Sequence, residues 1–293
     1  MTTVSYAECP GRERLLRLVD PGTFHEWLPP AERLASPHLA QLGVPSSFDD
    51  GVAIGRATLA GRAVFVAAQE GGFMGGGVGE VHGAKLVGLF RRALRDRPDA
   101  VVLLAESGGV RLHEANAGLI AVSEVMRALL DVRAAGIPVI VLIGGANGCF
   151  GGMGIVARCA DRVVMSDIGR LAMSGPEVIE ASHGVDEFDA RDRALVWRTT
   201  GGKHRWLIGD CDVLVEDDVA AFRAAAIDAL DGASPVTLDG LEAEHALLAA
   251  RLALLPDVSD ADDAIALWSR LGVADAGRVV DLEVEAVRAL RAA

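Results

Sequence analysis

The sequence predicts an α/β protein built on a parallel sheet. Three apolar runs typical of buried strands alternate with two segments of helical periodicity, in the order 100–105, 112–134, 138–143, 151–159 and 162–165. Strands that alternate with helices favour parallel pairing and right-handed crossovers, because each helix returns the chain to the same end of the sheet. Glycine pairs follow two of these strands, at Gly108-Gly109 and Gly151-Gly152. They mark the points where the chain leaves the sheet and enters a helical stretch.

The region before this core predicts wrapping segments, a hairpin and a loop. Its expected elements are a helix near Arg12 to Val19, a turn at Asp20 to Gly22, a polar segment at 29–47, hairpin strands at 52–55 and 63–68, a glycine-rich loop at 71–79 and a helix at 80–95. The hairpin is expected because two apolar runs flank Leu59-Ala60-Gly61-Arg62. The helix is expected from its amphipathic spacing.

The region after the core predicts mostly helices. We expect helices between 176 and 199, a loop through 201–204, a strand at 213–215, a helix at 217–230 and two or three helices in 236–293, the first around 242–254. This order predicts one α/β domain at 1–235 and a helical C-terminal extension at 236–293.

Composition excludes several classes of protein. The chain of 293 residues is 51% apolar and carries a net charge of −13, so it buries a large core and repels phosphate backbones and anionic membranes. We therefore expect no nucleic-acid partner and no membrane association. The start of the chain lacks a signal-peptide pattern, which predicts a cytoplasmic protein. The four cysteines show no Cys-x-x-Cys spacing and predict buried thiols, with neither a disulfide framework nor a metal site.

The two glycine pairs are the candidate catalytic feature. Glycine allows a close approach of the backbone to a ligand, and the first N–H groups of a helix have no partner inside the helix. Two such points that converge on one carbonyl oxygen form an oxyanion hole, which stabilises an enolate or a tetrahedral adduct. The alternative is that these glycines serve only tight turns and helix packing.

Further motifs accompany the glycine pairs in a fixed order. They are Leu18-Val19-Asp20-Pro21-Gly22-Thr23-Phe24, Gly61-Arg62, Phe73 to Gly79 with Gly83-x-Lys85, Ser107 to Glu114, Gly151-Gly152-Met153-Gly154, Gly175 to Glu180, and Gly201-Gly202-Lys203-His204. Together these motifs, which span roughly residues 12 to 230, resemble the carboxyltransferase branch of the crotonase superfamily. The resemblance implies a crotonase-like ββα superhelix at 1–235.

Within that branch, the sequence most resembles the beta subunits of malonate decarboxylases. The resemblance implies that malonyl, held as a thioester on the phosphopantetheine-type arm of an acyl carrier protein, loses CO2 to give the acetyl thioester. It also implies a homologous gamma-type subunit that completes the site, and no permanently bound cofactor. Unlike the acetyl-CoA carboxylase beta subunits of the branch, this chain has no four-cysteine zinc ribbon, and Gly77 stands where serine is usual there.

Two other functions remain open at this stage. One is a carboxyltransferase subunit that passes the carboxyl group of an acyl-CoA to or from biotin, and the other is a scaffold that only docks partners. The sequence does not distinguish a carrier-protein thioester from a coenzyme A thioester.

The expected site residues follow from the glycine pairs and the motifs. The catalytic amides are expected at Gly108, Gly109, Gly151 and Gly152, and the substrate-binding residues at Met74, Gly75, Gly76, Gly77, Ser107, Arg111, Phe150 and Met153. Arg111 and His113 are candidate partners for a substrate carboxylate or a phosphate of the carrier, with a surface salt bridge as the alternative. Lys203 and His204 are candidates for contact with the partner subunit or the acyl chain. Cys149 is expected to be a buried thiol, since no His or Asp follows at a spacing that suits a nucleophile.

Overall fold

The computed structural model describes residues 3–43, 47–254 and 264–291. Its central feature is a seven-stranded sheet in which the strands lie in chain order. The strands are β1 (His25–Trp27), β2 (Val52–Leu59), β3 (Arg62–Gln69), β4 (Ala100–Ala105), β5 (Val139–Ile143), β6 (Arg162–Ser166) and β7 (Val213–Val215). The pairing is antiparallel from β1 to β3 and parallel from β3 to β7. The predicted hairpin and the predicted parallel strands are thereby confirmed.

Twelve helices accompany the sheet in the described residues. They are α1 (Gly11–Leu18), α2 (Pro37–Gln41), α3 (Glu80–Asp96), α4 (Ala117–Ala134), α5 (Gly152–Arg158), α6 (Pro176–His183), α7 (Arg193–Thr200), α8 (Gly202–Leu207), α9 (Val219–Asp228), α10 (Leu238–Leu252), α11 (Ala264–Arg270) and α12 (Val284–Arg291). Helices α3 and α4 pack on one face of the sheet, and α1 and α9 pack on the other. Every residue of β4 and of β5 is buried, as expected for parallel strands covered on both faces.

A second, shorter ladder stands beside the main sheet. Isolated parallel bridges join Val78 to Val110, Ser107 to Cys149, and Cys149 to Leu171, and an antiparallel bridge joins Arg170 to Gly201. Each segment of this ladder lies in a connection between consecutive elements of the chain. Two ladders with helices outside them form the ββα superhelix that the resemblance implies.

Three local expectations differ from the structure. Strand β1 was not expected, because three residues are too few to show an alternating pattern, yet Trp27 packs edge-on against Phe65 with ring centres 4.9 Å apart. The predicted loop at 201–204 is instead the start of α8. Its glycine pair allows close packing rather than a loop, because a Cβ on Gly202 would collide with the Ser166 carbonyl. The helix predicted at 112–134 begins at Ala117, after a short 3-10 turn.

The C-terminal helices pack unevenly on the rest of the chain. Val284 and Val287 of α12 are buried in the main core, and Trp268 of α11 lies in a smaller cluster with Leu207. No residue of α10 is buried. Within the described ranges, no helix is long and apolar enough to cross a membrane.

Candidate active site

The first glycine pair lies in a segment that we call the first arm, residues 107–111 after β4. The Gly108 N–H donates to the Gly75 carbonyl at 2.8 Å, and the Val78 N–H donates to the Gly109 carbonyl at 2.9 Å. Gly109 has a φ of +132°, a conformation that side-chain-bearing residues rarely adopt. The first arm therefore needs glycine for its backbone path and is paired along its length with the glycine-rich loop.

The second glycine pair lies in the second arm, residues 148–153 between β5 and α5. The Cys149 N–H donates to the Arg170 carbonyl at 2.8 Å, and the Gly151 N–H donates to the Met173 carbonyl at 2.9 Å. Gly151 has a φ of +62°. This arm is thus held from its outer side by the segment that follows β6.

The two arms run side by side and touch. The Ser107 N–H donates to the Gly148 carbonyl at 2.8 Å, and the Phe150 N–H donates to the Ser107 carbonyl at 2.7 Å. A Cβ placed on Gly151 would lie 3.0 Å from the Cα of Gly109. The structure therefore brings the two glycine pairs together, as the sequence predicts.

Only some of the expected amides are free. The N–H groups of Gly108 and Gly151 both donate to carbonyls, and the Gly109 N–H donates to the Ser107 Oγ at 3.2 Å. Among the described residues, the N–H groups of Val110, Gly152 and Met153 make no hydrogen bond. The amides open to a ligand are therefore those of neighbouring residues rather than those of Gly108 and Gly151. Sequence reasoning missed Val110 and the amide of Met153, because it reveals glycines but not which amides are bonded.

The glycine-rich loop forms a wall beside the first arm. Met74, Gly75 and Gly76 all have positive φ, at 52°, 64° and 69°. Met74 is 50% exposed, whereas Gly76 and Gly77 are buried, and a Cβ on Gly76 would collide with the Glu106 carbonyl. Met74 and Gly75 are therefore the members of the loop that face outward.

Arg111 is buried in an ion cluster at the end of the first arm. Its guanidinium donates to both carboxylate oxygens of Asp49, at 2.5 and 3.1 Å, and to Glu114 at 3.1 Å. Its Nε donates to the Gly77 carbonyl at 2.8 Å. Burial raises the pKa of Asp49, but the Arg111 hydrogen bonds and charge outweigh burial and hold that pKa below its usual value. Arg111 is 5% exposed and its charge is balanced within the chain, so here it ties the loop to the arm rather than meeting a substrate.

Glu106 links the two arms from beneath. Its carboxylate is paired with Arg14 of α1 and accepts the N–H of Asn147, in the loop before the second arm, at 3.0 Å. Glu106 and Arg14 are each 3% exposed. Because loss of one partner of a buried ion pair leaves an unbalanced charge, this pair fixes the start of the first arm relative to the second. Its signal in the sequence is a charged residue directly after a fully apolar strand.

The remaining expected residues are mostly buried. Met153 and Ser107 are fully buried, and Phe150 is 4% exposed. Met153 packs in the main core, so its side chain does not line an open pocket in this structure. Burial raises the pKa of the Cys149 thiol to about 12, which keeps it protonated and unsuited to nucleophilic attack.

Lys203 and His204 hold the C-terminal part of the chain. The Lys203 ammonium donates to the carbonyls of Val280 and Leu282, and the His204 Nδ1 accepts the Trp268 indole N–H at 3.1 Å. Burial lowers the pKa of His204 to about 3, so the ring is neutral. The expectation that they contact a partner or an acyl chain is therefore not supported by their positions.

Comparisons with known proteins agree with this architecture. A model of the carboxyl transferase domain matches residues 10–226. The chain is 48% identical over 233 residues to the malonyl-S-ACP:biotin-protein carboxyltransferase MADC of Malonomonas rubra, an alignment that covers 75% of this chain and 73% of that protein. It is 30% identical over 187 residues to the acetyl-coenzyme A carboxylase carboxyl transferase subunit beta of Fusobacterium nucleatum, which covers 60% of this chain and 59% of that subunit.

Solved structures show the same likeness over nearly the whole chain. A chain of a Pseudomonas malonate decarboxylase hetero-tetramer, solved in complex with malonate, is 37% identical and superposes with a TM-score of 0.82. The superposition covers 92% of this chain and 98% of that one. The similarity therefore includes the C-terminal helices as well as the sheet.

Proposed function

The chain belongs to the carboxyl transferase domain family, and from this premise we propose that it is the catalytic subunit of a malonate decarboxylase complex. The family resemblance seen in the motifs is confirmed, and the chain is an enzyme subunit. In the proposed reaction, a malonyl thioester on an acyl carrier protein is converted to the acetyl thioester and CO2.

The contact between the two arms is the observation that best supports this proposal. When the bond between C2 and the carboxyl carbon breaks, its electron pair enters an enolate whose charge rests on the thioester oxygen, and a proton then adds to C2. We propose that the free amides of Val110 in the first arm and Gly152 in the second arm donate to that oxygen, with the Met153 amide beside Gly152 as a further donor. Fixed amides stabilise the charge without reorganising, and removal of one such donor costs about 2.7–4 kcal/mol of barrier.

The outward-facing part of the glycine-rich loop is the proposed place for the thioester arm. Met74 and Gly75 are exposed beside Gly108, which is exposed as well. Gly76, Gly77 and Ser107 support this wall from the buried side, and Phe150 supports the second arm in the same way. In this proposal, Met153 contributes its amide rather than its side chain, and Arg111 holds the loop.

A homologous gamma-type subunit and an acyl carrier protein are the proposed partners. Large apolar side chains around the arms are open to solvent: Leu112 is 84% exposed, Met173 is 71% exposed and Ile120 is 61% exposed. Large apolar side chains that are exposed beside a site are typical of a surface that another chain covers. One relative of known structure is a chain of a hetero-tetramer. We further propose that residues 1–235 form the catalytic domain and 236–293 an extension that packs on it.

A biotin-dependent carboxyltransferase is the second candidate. The observation that favours it is the 48% identity to a protein that transfers the carboxyl group of malonyl-S-ACP to a biotin protein. Both candidates need the same enolate, so the arms do not distinguish them.

Reconstitution with the partner subunit and the carrier protein tests the proposal. We expect CO2 release from malonyl thioester by the assembled complex, little turnover by the chain alone, and no inhibition by avidin. Inhibition by avidin would favour the biotin-dependent candidate, and an assembled complex with no action on malonyl thioester would overturn both.

A further inference from the structure

Arg170 lies against the second arm and is not among the residues proposed to hold the enolate oxygen. Its carbonyl accepts the Cys149 N–H, and the following residue, Leu171, is the bridge partner of Cys149. A Cβ on Gly148 would lie 3.1 Å from the Arg170 Cβ. The Arg170 side chain therefore leaves the second ladder on the face toward which a side chain at position 148 would point.

The guanidinium of Arg170 lies over two aromatic rings. Its Cζ is 5.6 Å from the ring centre of Phe150, the residue directly before the second glycine pair, and 5.3 Å from that of Trp197 in α7. One of its N–H groups donates to the Ala146 carbonyl at 2.5 Å. These contacts fix the plane of the guanidinium beside the second arm.

Within the described residues, no carboxylate is in contact with this charge. In the described part of the chain, no Asp or Glu oxygen lies within 4.0 Å of the Arg170 guanidinium. The nearby acids are Glu177, which is exposed on α6, and Glu106, which is already paired with Arg14. Arg170 is only partly buried and none of its nitrogens is among the buried unpaired atoms, so its remaining N–H groups reach solvent. The Arg170 guanidinium thus has a fixed orientation, is partly shielded from water, and keeps N–H donors that a ligand can reach.

Such a guanidinium suits an oxyanion. Its planar set of donors matches carboxylate and phosphate groups in a two-point contact, and stacking on aromatic rings leaves the donor edge free. We propose that Arg170 binds an oxyanion of the thioester substrate, either the free carboxylate of the acyl group or a phosphate of the carrier arm. This inference rests on the proposed function, because it requires that the acyl thioester bind across the face of the two arms.

A purely structural role makes a different prediction. If Arg170 only joins the second arm to α7, its loss lowers stability and affects all ligands alike. If it binds an oxyanion, its loss weakens only ligands that carry that oxyanion.

The experiment uses the assembled complex with Arg170→Gln, and Arg193→Gln as the matched control. Arg193 is an exposed arginine at the start of the same helix as Trp197, so its loss removes a nearby charge without touching the proposed contact. The probes are malonyl-pantetheine, which has the carboxylate but no phosphate, and acetyl-CoA, which has phosphates but no carboxylate. The readouts are KM for the first probe, the competitive inhibition constant for the second, and the urea midpoint.

We expect Arg170→Gln to weaken one probe roughly tenfold or more, since hydrogen bonds between charged groups are of that strength. A raised KM for malonyl-pantetheine alone assigns the carboxylate, and weaker inhibition by acetyl-CoA alone assigns the phosphate. Arg170→Lys keeps the charge and should lie between wild type and Arg170→Gln. No change for either probe, an equal change for both with a lower urea midpoint, or the same change in Arg193→Gln overturns the inference. Failure of the wild-type complex to act on malonyl-pantetheine and on malonyl carrier protein would instead count against the proposed function.

Discussion

The first and second arms present the same backbone feature in opposite electrostatic surroundings. Arg111, at the end of the first arm, is 5% exposed and is balanced by Asp49 and Glu114. Arg170, beside the second arm, lies on aromatic rings and within the described residues has no carboxylate in contact. The comparison indicates that one arginine holds a loop in place while the other is open to a ligand, although both stand next to a glycine pair.

The largest expected effect is on stability at the first arm. Arg111→Met leaves the buried Asp49 and Glu114 without their cation, and we expect it to lower the free energy of unfolding by about 3–5 kcal/mol. Arg170→Met loses its stacking contacts and its hydrogen bond to the Ala146 carbonyl and should cost about 1–2 kcal/mol. Urea unfolding of both variants checks the contrast. Equal losses would show that the two arginines have the same structural role.

The next largest expected effect is the loss of stability when one glycine of each pair is replaced by alanine. A Cβ on Gly152 would lie 2.5 Å from Val122 Cγ1, whereas a Cβ on Gly109 meets no atom within 4 Å and is opposed only by the φ of +132°. We expect Gly152→Ala to cost about 1–3 kcal/mol by overpacking and Gly109→Ala a similar amount by backbone strain.

A second substitution separates these two causes. Val122→Ala should recover most of the stability lost in Gly152→Ala and none of that lost in Gly109→Ala, as measured by thermal unfolding. Recovery in both backgrounds, or in neither, would contradict the account in which a steric clash destabilises Gly152→Ala and backbone strain destabilises Gly109→Ala.

The smallest expected effect, for a change of one pH unit, is the acid sensitivity of the region beneath the first arm. Burial, together with the charges of Arg111 and Lys85 and against the opposing charge of Asp49, lowers the pKa of His82 from 6.5 to about 3. Between these two values the unfolded chain binds a proton that the folded chain does not, so stability falls as the pH falls, by about 1.4 kcal/mol per pH unit.

The variant His82→Gln isolates this contribution. Between pH 6 and pH 4, its unfolding free energy should decline less steeply than that of the wild type, because the contribution of His82 is removed. His204, whose pKa is lowered to a similar extent, is present in both proteins and does not affect the comparison. Parallel pH profiles would show that His82 does not titrate in this way.

The sheet and the glycine pairs were predictable because their signals are local. A continuous apolar run such as 139–143 favours a buried strand, and a glycine pair directly after such a strand marks a special backbone path. The roles of the two arginines were not predictable, because they depend on partners distant in the chain. Arg111 meets Asp49, 62 residues away, and the surroundings of Arg170 depend on Phe150 and Trp197.

The free amide of Gly152 tests the central claim most directly. Replacement of Gly152 by glycolic acid through in vitro translation removes that N–H and adds no side chain, so Val122 is not disturbed. Among the described residues this N–H makes no hydrogen bond, and the ester weakens only the Gly151 carbonyl as an acceptor for Gly154 and Ile155, so stability should fall by no more than about 1 kcal/mol. The same replacement at Gly240, whose N–H donates to Thr237 Oγ1 on the exposed helix α10, is the control. We expect the Gly152 ester, assembled with its partners, to lose about 100-fold to 1,000-fold in kcat for malonyl thioester and the Gly240 ester to remain active. Full activity of the Gly152 ester would contradict the claim that its amide holds the enolate oxygen.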